Sequence, residues 1–149
     1  MASLSNGIAA VRAVKALMGD SAQPWFGLIK PPEFWYYLVP KQTDLIGMRC
    51  FVWLVGSNPQ AASRGSVEAG VAVAVSLLQA YPEGSDLDEL EAWMDERLAI
   101  TEPMAVALKF QEIAGFETMS VESIVDLELG KDRIFGVRIN VKLRKIYDP

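Results

Sequence analysis

Alternation of apolar and polar residues near the C-terminus constrains the fold of this chain more than any other feature. Residues 121–129 and 135–144 place apolar side chains at nearly every second position, with charged or polar side chains between them. Successive residues of a β-strand point to opposite faces of a sheet, so this period predicts two strands that are each buried on one face. The sequence therefore predicts a β-hairpin at the C-terminal end.

The charges on the outward face of this hairpin suggest its register. A three-residue loop at 131–133 keeps both apolar sets on one face, and it places Asp126 opposite Arg138 and Glu122 opposite Lys142. Opposite charges directly across a ladder each contribute roughly 0.2–1 kcal/mol. The outward face therefore supports the same register as the inward face.

A helix is predicted close to the N-terminus, over residues 6–18. Apolar residues recur there at helical spacing and give the segment one apolar side. Ser5 or Asn6 is suited to cap the first turn, because a short oxygen-bearing side chain accepts a hydrogen bond from a free backbone N–H. The Gly19-Asp20 pair is expected to end the helix.

Three apolar stretches predict further strands, at residues 33–39, 45–55 and 67–75. The first, "EFWYYLV", is apolar on both faces, so one face is expected to meet the core and the other either more core or a partner chain. Residues 56–66 hold two glycines, a proline, an asparagine and three serines, which predicts a long loop. Long loops tend to be functional or mobile.

The stretch "SDLDELEAWMDERL", residues 85–98, combines a high charge with helical periodicity. We interpret it as an amphipathic helix with Ser85 as N-cap and Asp88 three places on, in the manner of a capping box. Carboxylates in the first turn also suit the helix dipole. The expected buried stripe is Leu87, Leu90, Met94 and Leu98, with Trp93 on its border.

A second helix is predicted to follow, with Thr101 as its cap, Pro103 in its first turn and Gly115 at its end. It is apolar over much of its circumference, so we expect it to be deeply packed. Residues 1–149 are then a single domain of the α+β class: a mostly antiparallel sheet with two helices packed on one face, plus an N-terminal helix.

The carboxylates of the acidic helix raise one alternative, a small enzyme that uses Asp86, Asp88 and Glu91 with Arg97. A catalytic pair of carboxylates needs an enclosed cleft that shifts one pKa. The polar side of a surface helix does not provide such a cleft, so a solvated helix face is the favoured interpretation. No catalytic residue is therefore assigned.

Composition excludes several other classes of site. The chain has no histidine and one cysteine, Cys50, which removes Ser-His-Asp and Cys-His nucleophile pairs and a disulfide framework. Cys50 lies in an apolar run and is expected to be a small buried residue. No phosphate-binding, EF-hand or other metal-binding motif is present, so no metal ion and no cofactor is expected. No run of 18 uncharged apolar residues predicts a membrane span.

The net charge of −5 argues against a protein that grips nucleic acid, because a duplex-binding protein needs basic residues to neutralise phosphates. An acidic chain would lie beside DNA without holding it.

The segments "DLDELEAWMDERL", "PMAVALKFQEIAGF" and "VDLELGKDRIFGVRINVKLRKIYDP" resemble, in this order, the tail terminator proteins of long-tailed, lambda-like bacteriophages. The resemblance is closest at "ELEAWMDERL" and covers roughly residues 67–149, with "VEAGVAVAVSLL" in the corresponding place before the acidic helix. The N-terminal "IAAVRAVKAL" also falls in the corresponding order, whereas residues 24–40 and the segment after Gly56 do not match.

This resemblance implies a structural virion protein rather than an enzyme. It would form a homo-oligomeric, six-fold ring on the tail tube protein, stop tube polymerisation and offer the face that docks to the head-tail connector. The protein would be assembled in the host cytoplasm and reside in the tail or neck of the virion. DNA would pass through the lumen of the ring without specific binding. The alternatives are another neck or tail-completion component, a tail tube subunit, or an unrelated soluble α+β binding module.

In a ring-forming protein, contact residues are expected among the aromatic side chains and the long loop. Aromatic anchors dominate the energetics of many interfaces. The candidate interface residues are Trp25, Phe26, Trp35, Asn58, Gln60 and Arg64.

Overall fold

The computed structural model of the protein describes residues 5–34, 45–63, 66–111, 113, 115–125 and 133–147. The elements, in chain order, are α1 (Asn6–Met18), β1 (Glu33–Phe34), β2 (Arg49–Ser63), β3 (Ser66–Ala80), α2 (Leu87–Phe110), β4 (Glu117–Val125) and β5 (Ile134–Tyr147). The strands form one sheet in the order β1-β2-β3-β5-β4. All neighbours are antiparallel except the short parallel pair of β1 and β2. The predicted α+β class is confirmed.

Alternate residues of the three long strands and the inner sides of both helices form one buried cluster. Its strand residues are Cys50, Val52, Val71, Val73, Val75, Leu77, Phe135, Val137, Ile139, Val141 and Leu143, and its helix residues are Ala10, Val11, Val14, Met18, Met104, Ala107 and Leu108. α1 lies against β2 and β3, and α2 lies against β4 and β5. Because each large apolar side chain stabilises the fold by roughly 1.5–3 kcal/mol when fully buried, this cluster holds the helices to the sheet.

A smaller cluster of Leu45, Phe51, Leu78 and Ile134 is also buried. Phe51 and Leu78 are sequence neighbours of residues in the main cluster, so they point to the opposite face of the sheet. Backbone hydrogen bonds fasten the segment before β2 to the end of β3, with Ala80 N donating to Leu45 O at 2.9 Å. The sheet therefore buries apolar residues on both faces at this end.

α1 begins at Asn6 and ends at Met18, as the sequence predicted. The Ser5 hydroxyl accepts a hydrogen bond from Ile8 N at 3.2 Å, and Gly19 is the C-cap. Val11 and Val14 are buried, whereas Ile8, at the edge of the stripe, is exposed. The apolar spacing therefore identified the buried side correctly and overstated its width.

The two helices predicted in the middle of the chain are one helix, α2, with Pro103 inside it. Its N-cap is Asp86 rather than Ser85, since an Asp86 carboxylate oxygen accepts a hydrogen bond from Glu89 N at 2.8 Å. Thr101 does not cap a new helix, because its hydroxyl donates back to Leu98 O at 3.2 Å. Proline removes one intrahelical hydrogen bond and crowds the preceding turn, but burial of Met104, the next residue, and of Leu108 one turn later keeps the helix continuous.

The expected packing of this helix is correct only in part. Leu90, Met94 and Leu98 are half-buried, but Leu87 is 84% exposed. In the second half Met104 and Leu108 are buried, whereas Val106 and Phe110 are exposed. The expectation of deep packing was therefore wrong for one side of the helix.

The long loop predicted at residues 56–66 was also wrong. β2 continues to Ser63 and β3 begins at Ser66, so the segment belongs to a hairpin of two 15-residue strands. Pro59 is accommodated because β1 reaches β2 only at Phe51 and Val52. Beyond that point the described residues leave β2 at the edge of the sheet, where a strand tolerates proline.

The C-terminal hairpin exists, but its predicted register was wrong by two residues. Ile124, not Asp126, lies opposite Arg138, and Ser120, not Glu122, lies opposite Lys142. Asp126 and most of the predicted loop at 131–133 lie outside the described residues. A shift of two leaves every side chain on its own face, so the alternation of apolar residues is satisfied equally in both registers.

A charge pair supports the register that the hairpin adopts. Arg144 lies opposite Glu117 and donates to its carboxylate at 2.6 Å, and a bulge between Thr118 and Ser120 shifts the pairing by one residue in between. Glu117 precedes the segment in which the sequence predicts a strand, so this charge pair lies outside the predicted hairpin. β4 accordingly begins four residues earlier than the sequence predicted.

Candidate interaction surface

Large apolar side chains are exposed at several places on the described surface. They are Ile8, Phe26, Leu28, Ile46, Leu54, Val55, Leu87, Val106, Phe110, Met119 and Val125. Single exposed apolar residues are normal in soluble proteins, whereas groups of them mark surfaces that meet other molecules. The question is therefore which of them the fold brings together.

A pair of glutamines joins two of the segments that carry such residues. Gln23 Nε2 donates to Gln111 Oε1 at 2.7 Å, and Gln111 Nε2 donates to Gln23 Oε1 at 3.2 Å. Gln23 is buried, so this double hydrogen bond fixes the turns of residues 20–29 against the C-terminal end of α2. We call it the glutamine bridge.

Four exposed apolar side chains flank the glutamine bridge in sequence. Phe26 and Leu28 follow Gln23, and Val106 and Phe110 precede Gln111. Phe26 is 58% exposed and Phe110 is 76% exposed. Lys109 Nζ lies 5.6 Å from the centre of the Phe110 ring, which adds a cation at this end of the helix. These four side chains are called the apolar set below.

Trp25 and Phe26, both candidate interface residues, have opposite environments. Trp25 is 1% exposed and belongs to the main cluster, and its indole N–H donates to Met18 O at 2.8 Å. In this conformation Trp25 has no side-chain surface for a neighbouring subunit. Phe26 extends from the same turn into solvent, so its place at an interface stays a prediction.

The other candidate interface residues give less information. Asn58 and Gln60 lie in β2, opposite Gly70 and Glu68 of β3, and thus on a strand rather than in the expected loop. Trp35 and Arg64 lie outside the described residues. Sequence reasoning overlooked Val106 and Phe110, whose spacing of four residues indicates one helix face but not whether that face is buried or exposed.

Both edges of the sheet offer unpaired backbone within the described part of the chain. β4 pairs with β5 alone, and Met119 and Val125 expose apolar side chains along it. At the other edge, β1 reaches only Phe51 and Val52 of β2, so the outer side of residues 53–63 has no described strand beside it. Unpaired N–H and C=O groups on a strand edge are a template for pairing with another chain.

The residues of the carboxylate alternative are not gathered in an enclosed site. Asp86 caps α2, and Asp88 and Glu91 are exposed. Arg97 donates to Gln79 Oε1 at 3.2 Å and to Glu96 at 2.8 Å, and its guanidinium stacks 4.4 Å from the centre of a Trp93 ring. Among residues 5–34, 45–63, 66–111, 113, 115–125 and 133–147, no three acidic or cysteine side chains are placed to hold a metal ion.

Asp88 and Glu91 instead line an open groove of about 780 Å³ along the first half of α2. Its described lining is Leu87, Asp88, Leu90, Glu91, Ala92, Met94, Asp95 and Leu98. We call it the acidic groove. It places three carboxylates over an apolar floor and is open to solvent, whereas a catalytic pair of carboxylates needs an enclosed cleft.

Cys50 is buried in the main cluster, as the sequence predicted. Burial, with a smaller effect of the nearby Glu33 carboxylate, raises the pKa of the Cys50 thiol from 9.0 to about 12. A thiol that stays protonated at neutral pH is a poor nucleophile. Cys50 therefore contributes packing.

No helix in the described part of the chain is both long enough and apolar enough to cross a membrane. No protein-family model matches the chain, and no curated protein matches it significantly. Among solved structures, the chain is similar to one chain of the virion of a native gene transfer agent particle. The identity is 14% and the TM-score 0.38, over 95% of this chain and 93% of that chain. A TM-score in this range does not establish a shared fold.

Proposed function

We propose that this protein is a structural virion component of the tail terminator type, which assembles into a ring on the end of a tail tube. In this role it stops polymerisation of the tube protein and presents a face for the head-tail connector. The order of segments over residues 67–149 that resembles tail terminators supports the specific role. The exposed apolar set carries the more general conclusion that the chain functions by binding other proteins.

The apolar set supports an interaction because its position is held rigidly. The glutamine bridge joins the two segments that carry it, and Trp25 anchors the turn beside Phe26 in the core. Large apolar side chains on a fixed scaffold lose little conformational entropy on binding, which favours affinity. Aromatic residues such as Phe26 and Phe110 are enriched in the centres of interfaces.

The charge of the chain is consistent with a ring through which DNA moves. A net charge of −5 gives no general attraction for phosphates. The basic side chains of β5 are partly neutralised within the subunit, since Arg144 lies 2.6 Å from Glu117 and 3.7 Å from Glu68. DNA would therefore pass such a ring without specific binding.

The proposal is tested by measuring molar mass with light scattering after size exclusion, over a concentration series, and by negative-stain images of each peak. We expect closed rings, or a monomer that closes into rings when tail tubes are added. Open tubes formed by the protein alone would identify a tube subunit. A monomer at every concentration that also ignores tail tubes would overturn the proposal.

Variants of the apolar set show whether it is the surface used. Phe26→Ser with Phe110→Ser is expected to abolish ring formation or tube binding and to leave the circular dichroism spectrum unchanged. Ile46→Ser is the matched control, because Ile46 is equally apolar and more exposed but lies on neither segment of the glutamine bridge. Equal loss of assembly in the control would show that the effect is not specific to the apolar set.

A further inference from the structure

A second groove, of opposite charge to the acidic groove, lies beside α1. It has a volume of about 530 Å³, and its described lining is Arg12, Lys15, Ala16, Gly19, Pro32 and Phe34. Arg12 is exposed, and Lys15 Nζ lies 4.6 Å above the centre of the Phe34 ring. We call it the basic groove. It places two cations over an apolar floor, as the acidic groove places three carboxylates over one.

The charges of both grooves lack counter-charges among the described residues of the subunit. Two arginines outside the grooves are paired: Arg49 lies 2.8 Å from Glu33, and Arg144 lies 2.6 Å from Glu117. No described ion pair involves either cation of the basic groove or any of the three carboxylates of the acidic groove. The two grooves are therefore complementary in charge to one another, and neither has an ion pair among the described residues.

The two grooves are built on different helices and share no described lining residue. The basic groove is built from α1 and the segment leading into β1, and β1 is the first strand in the order β1-β2-β3-β5-β4. The acidic groove is built on the first half of α2, where Arg97 donates to Gln79 of β3 and Trp93 packs on Phe135 of β5. Both helices are fixed to the sheet through the main cluster, so a contact between the two grooves requires two subunits.

We propose that the acidic groove of one subunit docks onto the basic groove of a second copy. This inference rests on the proposed function, because it assigns the subunit contact of the ring. Joining unlike surfaces of two copies is a heterologous contact, and repetition of such a contact closes into a ring when the rotation between subunits allows it. The apolar floors supply burial, and the charges select partner and orientation.

Charge reversal at each groove tests the contact. The variant Arg12→Glu with Lys15→Glu makes the basic groove acidic, and Glu91→Lys with Asp95→Lys makes the acidic groove basic. Both carboxylates lie beyond the first turn of α2, so their reversal leaves the cap at Asp86 intact. Like charges across a contact are strongly unfavourable, so each variant alone is expected to self-associate at least about tenfold more weakly than the wild type.

The same reversals provide a gain of function. When the two variants are mixed, both kinds of contact again join opposite charges, so mixed rings are expected. One chain with all four substitutions is expected to form rings alone and to exclude the wild type. Glu102→Lys with Glu122→Lys is the matched control, since it reverses two exposed carboxylates outside both grooves and should leave assembly unchanged.

Sedimentation velocity over a concentration series measures self-association of each variant and of each mixture. It is run at low salt and at about 0.5 M salt, where the Debye length falls to about 4 Å. Rescue in the mixture and weakening by salt support the contact. If the wild type forms rings and the reversed variants form them equally well, this contact is overturned while the proposed function stands. If reversal of the acidic groove abolishes tube binding but not ring formation, the groove meets the tube and the inference is again overturned. A wild type that never assembles overturns both.

Discussion

At the scale of single residues, burial separates neighbours that the sequence does not distinguish. Trp25 and Phe26 are adjacent aromatic residues, yet one is 1% and the other 58% exposed. Trp25 is fixed in the core by packing and by its hydrogen bond to Met18 O. Phe26 exposes its ring at the surface. Substitution of Trp25 is therefore expected to lower stability, and substitution of Phe26 is expected to leave stability nearly unchanged.

Trp25→Ala is expected to lower the free energy of unfolding by about 3–5 kcal/mol, because it removes a large buried side chain and leaves a cavity. Phe26→Ser is expected to change it by less than about 0.5 kcal/mol, as is usual for an exposed position. Urea denaturation followed by fluorescence and circular dichroism measures both. Equal destabilisation by the two substitutions would contradict this assignment of core and surface.

Cys50 gives a prediction in alkaline solution. Its pKa is raised from 9.0 to about 12 in the folded protein, so the unfolded chain loses the thiol proton first as the pH rises. The stabilising effect of the protonated thiol is therefore complete below pH 9 and is lost between pH 9 and about 12. The free energy of unfolding of the wild type is expected to fall over this range more steeply than that of Cys50→Ala.

Chemical denaturation at about pH 8, 9, 10 and 11 gives the free energy of unfolding of both proteins, and its slopes against pH are compared. This range covers most of the interval between the two pKa values of the thiol, 9.0 and about 12. The difference in slope between the wild type and Cys50→Ala reports the thiol alone, because the other groups that lose protons in alkaline solution are the same in both proteins. A thiol-alkylating reagent is also expected to leave Cys50 unmodified in the folded protein at pH 8 and to modify it in urea. Parallel slopes and rapid alkylation in the folded state would show that the thiol is accessible.

At the scale of elements, the start of α2 shows how one hydrogen bond defines a helix boundary. Asp86 accepts from Glu89 N at 2.8 Å and is the N-cap, while Ser85, the residue predicted from the sequence, precedes it. Asp86→Ala is expected to cost about 1 kcal/mol of stability, and Ser85→Ala is expected to cost little. Thermal denaturation of both variants measures the difference, and a larger effect of Ser85→Ala would restore the predicted boundary.

The types of elements could be predicted from the sequence better than their extents. Periods of two and of 3.6 residues identified the C-terminal hairpin and α1, because burial of one face imposes those periods directly. The register of β4 on β5 could not be derived in this way, since a shift of two residues preserves every face. The charge pair between Glu117 and Arg144 was the missing signal.

Local composition misled the prediction where tertiary pairing was stronger. Glycine, proline and serine favoured a loop at residues 56–66, but β3 is long enough to pair with that segment through Ser63. Pro103 favoured a break in the helix, yet packing of Met104 and Leu108 against the sheet maintains a single α2. Propensities are weak compared with burial, so they fail where a long neighbouring element supplies contacts.

At the scale of the whole molecule, the apolar set and the two grooves are the exposed features on which the proposed assembly rests. The candidate surface was less predictable than the fold, because sequence periodicity does not show which side of an element remains uncovered. Val106 and Phe110 have the spacing of core residues and are nevertheless exposed. The packing of α2 on β4 and β5 determines that the side of the helix with Val106 and Phe110 stays uncovered.

A terminator that closes one ring on a tube has a kinetic signature. One ring blocks one tube end, so the amount of protein needed depends on the number of ends rather than on the mass of tube protein. Protein added in small amounts to polymerising tube subunits is therefore expected to shorten the tubes. The variant Glu91→Lys with Asp95→Lys, which is expected to form rings poorly, should leave their length close to that of the untreated sample.

Tube lengths measured in negative-stain images, at several ratios of protein to tube subunit, test this prediction. Protein added after the tubes are complete is the control, and it is expected to decorate ends without changing length. A ring that caps an end removes a growth site, whereas a tube subunit adds to it, so the two roles predict opposite changes in length. Longer tubes, or density distributed along the tube wall, would therefore identify a tube component in place of a terminator.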